Sequence, residues 1–372
     1  VAQNINARPV LMDGVFPQPG KTAAPFEFAE AYKRAMKLLP TKVDADTLPT
    51  EADIREEELN IEDQLALEAE QKAEEEGEEG GRAPPVISRG PTPPSIYGPG
   101  RLAPGAVGRV APGAVGRLAP GAVGRMAPGP VGPASPSTRL PTEKRDEPKY
   151  NPIYRARVAK AKSMLCYYDE GSSFHHSPLE YQVEPPTPEQ MWYAQVVEWV
   201  QEDVVKAIGD LNREAADQVS GADACVEHVP VKRIVFVRVL GYQGPQGFLP
   251  FPDASGTPAA SVPPAGPSFT GRKSNEQYDV VRFVVSVVVD QRDILRLIDR
   301  ISRANFYQCL GARYEAVNQG QARADGYFYG TDPVVQVTLE FEGYMARDLY
   351  ANLMPPSVRQ ALGIDAAEGE GD

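Results

Sequence analysis

From Thr187 onward the apolar positions recur first at helical spacing and then at strand spacing, and the alternation predicts six elements in a row. Thr187-Pro188-Glu189-Gln190 sets a hydroxyl at the N-cap, Pro at the first helical position and Gln at the third, a capping box. The helix it opens runs to about Glu214, with Trp192, Val196, Trp199, Ala207, Ile208 and Leu211 on one core-facing stripe. Val231–Leu240 is rich in β-branched residues and reads as a strand. Tyr278–Val289 is apolar on both faces, which predicts a central strand. Asp290 then caps a helix over Asp293–Arg303, where Ile294, Leu297, Ile298 and Ile301 repeat at helical spacing. Phe306–Val317 is a third strand. In the fourth, Val334–Glu342, Val335, Val337, Leu339 and Phe341 face inward while Gln336, Thr338, Glu340 and Glu342 face water.

Helix, strand, strand, helix, strand, strand is an αββ unit used twice. That order predicts an α+β fold, a circularly permuted ferredoxin-like (αββ)2 sandwich with two helices on one face of an antiparallel sheet. Around it lie weaker signals. Phe26, Phe28, Ala29, Tyr32, Met36 and Leu39 mark an amphipathic helix that Pro40 stops. Ile153–Leu165 reads as a basic amphipathic helix, Cys166–Pro186 as irregular, 241–276 as a long Pro/Gly-rich loop, and Met345–Leu353 and Ser357–Leu362 as short terminal helix.

Composition divides the chain. Its 372 residues carry 38 Lys+Arg against 51 Asp+Glu, a net charge of −13. Fourteen acidic and two basic residues fall between Glu51 and Glu79, so one run holds nearly all of the net charge. A nucleic-acid partner needs a cationic surface to displace counterions, and none is written here. The acidic run is rich in Glu, Ala and Leu and could extend as an exposed helix. From Gly81 to Tyr150 there are fifteen Pro and twelve Gly, including the octapeptide Arg101-Leu-Ala-Pro-Gly-Ala-Val-Gly108 repeated from Arg109, Arg117 and, with changes, Arg125. Such a stretch buries too little apolar surface to offset its ordering entropy, which predicts a disordered or polyproline-like spacer. The expected organisation is an N-terminal segment 1–50, an acidic and Pro/Gly-rich insertion 51–150 that is mobile, a folded domain 151–362 and a polar tail 363–372.

Candidate chemistry is sparse. No P-loop, dinucleotide fingerprint or nucleophile elbow occurs. Cys225-Val-Glu-His228 has a metal-like spacing, and with Cys166, His175 and His176 it makes a weak zinc candidate; the expectation is no metal and no cofactor. Cys309 falls in a strand pattern and reads as a small buried hydrophobe. Tyr327-Phe328-Tyr329 is similar to the aromatic cluster of an RNA-binding sheet, but its loop position predicts packing instead. The edge of the sheet, or a strand next to it, is expected at Val334–Glu342, which makes Val334, Gln336, Thr338, Glu340 and Glu342 the interface candidates.

The stretch Gln291–Val317 followed by Val334–Gly343, together with Trp192–Asp203, resembles the second αββ half and the long helix of the PilO and GspM periplasmic domains, in particular a pilus-associated PilO-like branch with Pro/Ala-rich insertions. The resemblance covers the region from about residue 188 onward and implies a non-enzymatic scaffold of a type IV pilus or type II secretion assembly platform. It implies a periplasmic location, an N-terminal membrane anchor upstream of Val1, and a homo- or heterodimer with itself or with a PilN/PilO-like partner. Two other functions stand beside it: an extracellular or envelope adhesin using the repeat as a stalk, and a zinc-dependent enzyme.

Overall fold

The computed structural model describes residues 8–79, 150–174, 179, 184–219, 223–252 and 270–364. The chain divides into two compact units, one of Val1–Asn60 and Pro148–Asp372, the other of Ile61–Glu147. In chain order the elements are α1 (Ala24–Leu38), β1 (Ala45–Asp46), α2 (Glu51–Glu79), α3 (Pro152–Lys162), β2 (Cys166–Tyr168), α4 (Pro188–Ala216), β3 (Val231–Gly244), β4 (Gly247–Pro250), β5 (Tyr278–Asp290), α5 (Ile294–Ala304), β6 (Tyr307–Ala316), α6 (Gln319–Asp325), β7 (Val334–Ala346), α7 (Arg347–Tyr350) and α8 (Pro356–Ala361).

The capping box forms as its residue types require. The Thr187 hydroxyl accepts from the Gln190 amide at 3.2 Å, and the Gln190 side chain accepts from the Thr187 amide at 2.9 Å. Ahead of α5, the Asp290 carboxylate accepts from the Arg292 backbone N–H at 2.9 Å. α4 thus begins where the sequence marks it, and α5 follows one 3-10 turn, Gln291–Asp293, that Asp290 caps.

The sheet has seven strands in the order β1-β2-β3-β5-β7-β6, with β4 folded back on β3. β1, β2 and β3 run parallel, and every other pair is antiparallel. Within its heart the four long strands, taken in chain order, lie first-second-fourth-third. That is the strand order of a ferredoxin-like sheet whose first strand has been moved to the end of the chain, so the α+β permuted sandwich is the observed fold. β5 sits between β3 and β7, in the central place its two-sided apolar pattern calls for.

Alternation assigns the faces. Val281, Phe283, Val285, Val287 and Val289 of β5 and Val337, Leu339 and Phe341 of β7 pack under α4 and α5. Trp192 and Trp199 meet edge to face at 5.8 Å, and the Trp192 indole N–H donates to the Tyr242 hydroxyl at 2.9 Å, both side chains fully buried. α1 adds Phe28, Tyr32 and Met36 to the same core. A smaller core lies on the opposite face, where Met164, Tyr167, Tyr327, Tyr329, Val288 and Val334 cluster.

The acidic run forms the helix expected from its Glu/Ala/Leu content, Glu51–Glu79. Two local outcomes differ from the sequence reading. Cys166–Tyr168, expected to be irregular, adds a parallel strand to β3. β3 also runs past Leu240 into a hairpin, permitted by Gly241 at φ +148°, where a Cβ would stand 2.1 Å from the Leu249 carbonyl oxygen. The octapeptide repeat lies outside the described residues.

Candidate interaction surface

Among the described residues the metal candidates form no site. Cys225 Sγ and His228 Nδ1 are 3.3 Å apart in one turn, with Cys225 buried and His228 exposed. Among the described residues no three His, Cys, Asp or Glu side chains are placed to hold an ion. His175 and His176 lie outside the described residues. Cys166 is fully buried in β2, and burial pushes its thiol up to about 12, which suits packing and not thiolate chemistry.

The aromatic loop is a packing element. Tyr327 and Tyr329 stack at 5.8 Å and both meet Tyr167 edge-on, at 5.2 and 6.1 Å. The Tyr327 hydroxyl donates to Asp169 Oδ1 at 2.8 Å, and the Arg233 guanidinium lies 4.1 Å over the Tyr327 ring. Both rings are too buried to present a stacking platform.

Of the two places expected for Val334–Glu342, the strand takes the second: β7 is hydrogen-bonded along its length to β5 on one side and to β6 on the other, which makes it the neighbour of the edge. Its outward residues make a polar ladder on the face opposite α4 and α5. Thr338 Oγ1 lies 3.1 Å from Ser286 Oγ, and Gln336 Nε2 donates to Ser286 Oγ at 3.3 Å. Arg282 pairs with Glu340. Glu342 is fully buried and accepts from the Thr270 hydroxyl at 2.8 Å, while Val334 belongs to the smaller core.

The edge is β6. Its inner end is anchored: Tyr307 lies across Gly343, where a Cβ would come within 2.7 Å of the ring, and its hydroxyl donates to Asp203 Oδ2 at 2.6 Å. Arg8 Nη2 donates to the same carboxylate at 2.5 Å and to the Tyr307 oxygen at 3.0 Å. Burial raises both Asp203 and Tyr307, with the Arg8 charge opposing it in each. The three groups satisfy one another and tie the chain ahead of α1 to the start of β6.

Beyond a bulge between Cys309 and Gly311 the strand changes character. Every residue from Gly311 to Ala316 is exposed, and among the described residues no strand pairs with its outer side. Arg313 stands opposite Thr338 and Glu315 opposite Gln336, so both project from the face opposite α4 and α5; neither has an ion pair among the described residues. Tyr314, opposite Val337, projects from the helix face and is 54% exposed. α5 packs above this border, and Leu295 on its first turn, 77% exposed, is the most exposed large apolar side chain among the described residues. Cys309, expected to be buried, is half-exposed for the same reason. The sequence reading missed Arg313, Tyr314 and Glu315. The available signal was three consecutive residues that suit neither face of a covered strand.

No family model matches the chain, and no curated protein matches it. Among solved structures it is similar to a protein from Akkermansia muciniphila, 10% identical over 51% of this chain and 71% of the other, at a TM-score of 0.28. It is also similar to the core domain of a protein from the same organism, 7% identical over 54% of this chain and 83% of the other, at 0.25. At those scores neither adds to the topology described above. No helix among the described residues is long and apolar enough to cross a membrane.

Proposed function

We propose that this chain is a non-enzymatic scaffold domain of a type IV pilus or type II secretion-like envelope assembly, acting by association with copies of itself or with a PilN/PilO-like partner. The observation that carries the reading is the permuted ferredoxin-like sheet with one long strand, β6, left uncovered on its outer side. An uncovered strand offers a row of backbone donors and acceptors to another chain. The segment that resembles PilO and GspM, Gln291–Val317 with Val334–Gly343, is the part that folds as α5, β6 and β7. The polar clusters beside it support the same reading, since Arg8, Asp203 and Tyr307 are engaged with one another and Arg282 with Glu340. In this proposal the domain sits in the periplasm, tied to the inner membrane.

Envelope fractionation of the tagged protein in its native host tests it. The expected result is recovery with inner membranes, protection from protease in whole cells and digestion in spheroplasts. Digestion in whole cells would overturn the scaffold reading and favour the surface adhesin.

A further inference from the structure

The outer strand carries its own complement. Read outward from Tyr314, the segment Ala312-Arg313-Tyr314-Glu315-Ala316 has Ala at both ends and opposite charges at the two inner positions. We propose that β6 pairs antiparallel with β6 of a second copy about a two-fold axis through Tyr314, joining the two sheets edge to edge with Arg313 of each copy opposite Glu315 of the other. This deepens the association reading above, on which it rests, by naming the partner, the strand and the register.

Geometry restricts the choice. A two-fold axis perpendicular to the sheet keeps α4 and α5 of both copies on the same face and sets some residue opposite its own copy. Centred on Arg313 the axis would set Arg against Arg, and centred on Glu315 it would set Glu against Glu. Like charges directly opposite destabilise a strand pair, whereas opposite charges support it. Centred on Tyr314, both charge pairs match, Ala312 meets Ala316, and the two Tyr314 rings meet on the helix face. A one-residue slip would move each side chain to the wrong face, so the register is specified twice.

The surroundings agree. Gly311–Ala316 contains no Lys and no Pro, residues that commonly protect an edge, and its bulge precedes the segment instead of interrupting it. The axis would bring the two α5 helices to the seam, because α5 lies above the β6 side of the sheet. Leu295 and Tyr314, both more than half exposed, would then lose water together. An interface of one strand and one helix flank is at the small end of specific interfaces, so the dimer should dissociate on dilution.

Charge reversal in solution tests the register, with sedimentation as the readout and circular dichroism confirming the fold. The intact chain should dimerise. Arg313→Glu sets Glu against Glu twice and Glu315→Arg sets Arg against Arg twice, so each alone should weaken the dimer roughly tenfold or more. Mixing the two single variants should restore a heterodimer, because each then supplies the charge the other needs. Tyr314→Cys, oxidised with diamide, should give a covalent dimer, since directly opposite Cα atoms are within disulfide reach. A chain that stays monomeric at millimolar concentration overturns the proposal. A dimer indifferent to both reversals also overturns it while leaving the scaffold reading to stand on fractionation, which in turn can fail without touching self-pairing.

Discussion

Glu198 lies on α4 with only 6% of its surface exposed, one turn before Glu202. Its one direct partner is Gln195, whose Nε2 donates at 3.1 Å. That amide is fixed in orientation because its oxygen accepts from the Leu11 N–H at 2.8 Å. Burial first, and the neighbouring Glu202 charge second, push the Glu198 carboxyl up to about 7, against the opposing pull of Lys42 and Arg8. The folded protein therefore holds a proton that the unfolded chain releases above about pH 4.3. Between those values the native state binds more protons than the unfolded one, so this group's contribution to stability is full in acid and falls as pH rises toward 7. The gap corresponds to about 3 kcal/mol. Glu198→Gln removes the titration and keeps an oxygen for Gln195. Urea unfolding followed by tryptophan fluorescence at pH 4, 6 and 8, each about two pH steps apart on the titration, should show equal stability at the first and a variant more stable by about 3 kcal/mol at the last. Subtracting variant from parent removes most of the contribution of Asp203, Asp279 and the other carboxylates. A difference that does not change with pH, or a parent more stable at the alkaline end, would refute the reasoning and mean that Glu198 is ionised and held by Lys42 and Arg8.

Gln336→Pro should unfold the domain, since β7 is bonded on both sides and a proline in an interior strand removes a ladder bond and clashes with its neighbour; loss of the cooperative thermal transition is the readout. Tyr242→Phe leaves the buried Trp192 N–H without its acceptor and should cost about 1–3 kcal/mol in urea unfolding. Arg347→Met strips the fully buried Asp279 of the guanidinium that donates to it at 2.7 and 3.0 Å, and should cost about 3–5 kcal/mol, with much of that recovered when Asp279→Asn is added.

What was legible in the sequence is what a short window determines. Thr187 through Gln190 contain every atom of the capping box, and the stripe from Trp192 to Leu211 needs nothing beyond its own spacing to declare a buried face. β5 announced its central position by being apolar on both sides. β1 and β2 could not be read this way. They are two and three residues long, and they are strands only because β3 leaves its outer side open to them. Gly241 could not be read either, since the need for a positive φ arises from the approach of Leu249 and not from its neighbours in sequence.

The sequence leaves open whether Val334–Glu342 is the edge or its neighbour for a different reason, and that reason bears directly on function. Alternation reports the direction perpendicular to a sheet: Gln336, Thr338, Glu340 and Glu342 correctly mark the face of β7 opposite α4 and α5. An edge lies in the plane of the sheet, along the hydrogen bonds, and no period of two reports on it. A polar outer face is therefore compatible with an edge strand or with its neighbour, and in β7 those polar groups are occupied with Ser286, Arg282 and Thr270. In-plane exposure shows differently, as a strand that lacks a good apolar face altogether. β6 has that form, with Ala312, Tyr314 and Ala316 where β7 has Leu339, Val337 and Val335 opposite them. The strand order points the same way, because in a permuted (αββ)2 sheet the third long strand is necessarily outermost. Both routes place the uncovered backbone at Gly311–Ala316, and the charges that would select its partner, Arg313 and Glu315, have no ion pair among the described residues.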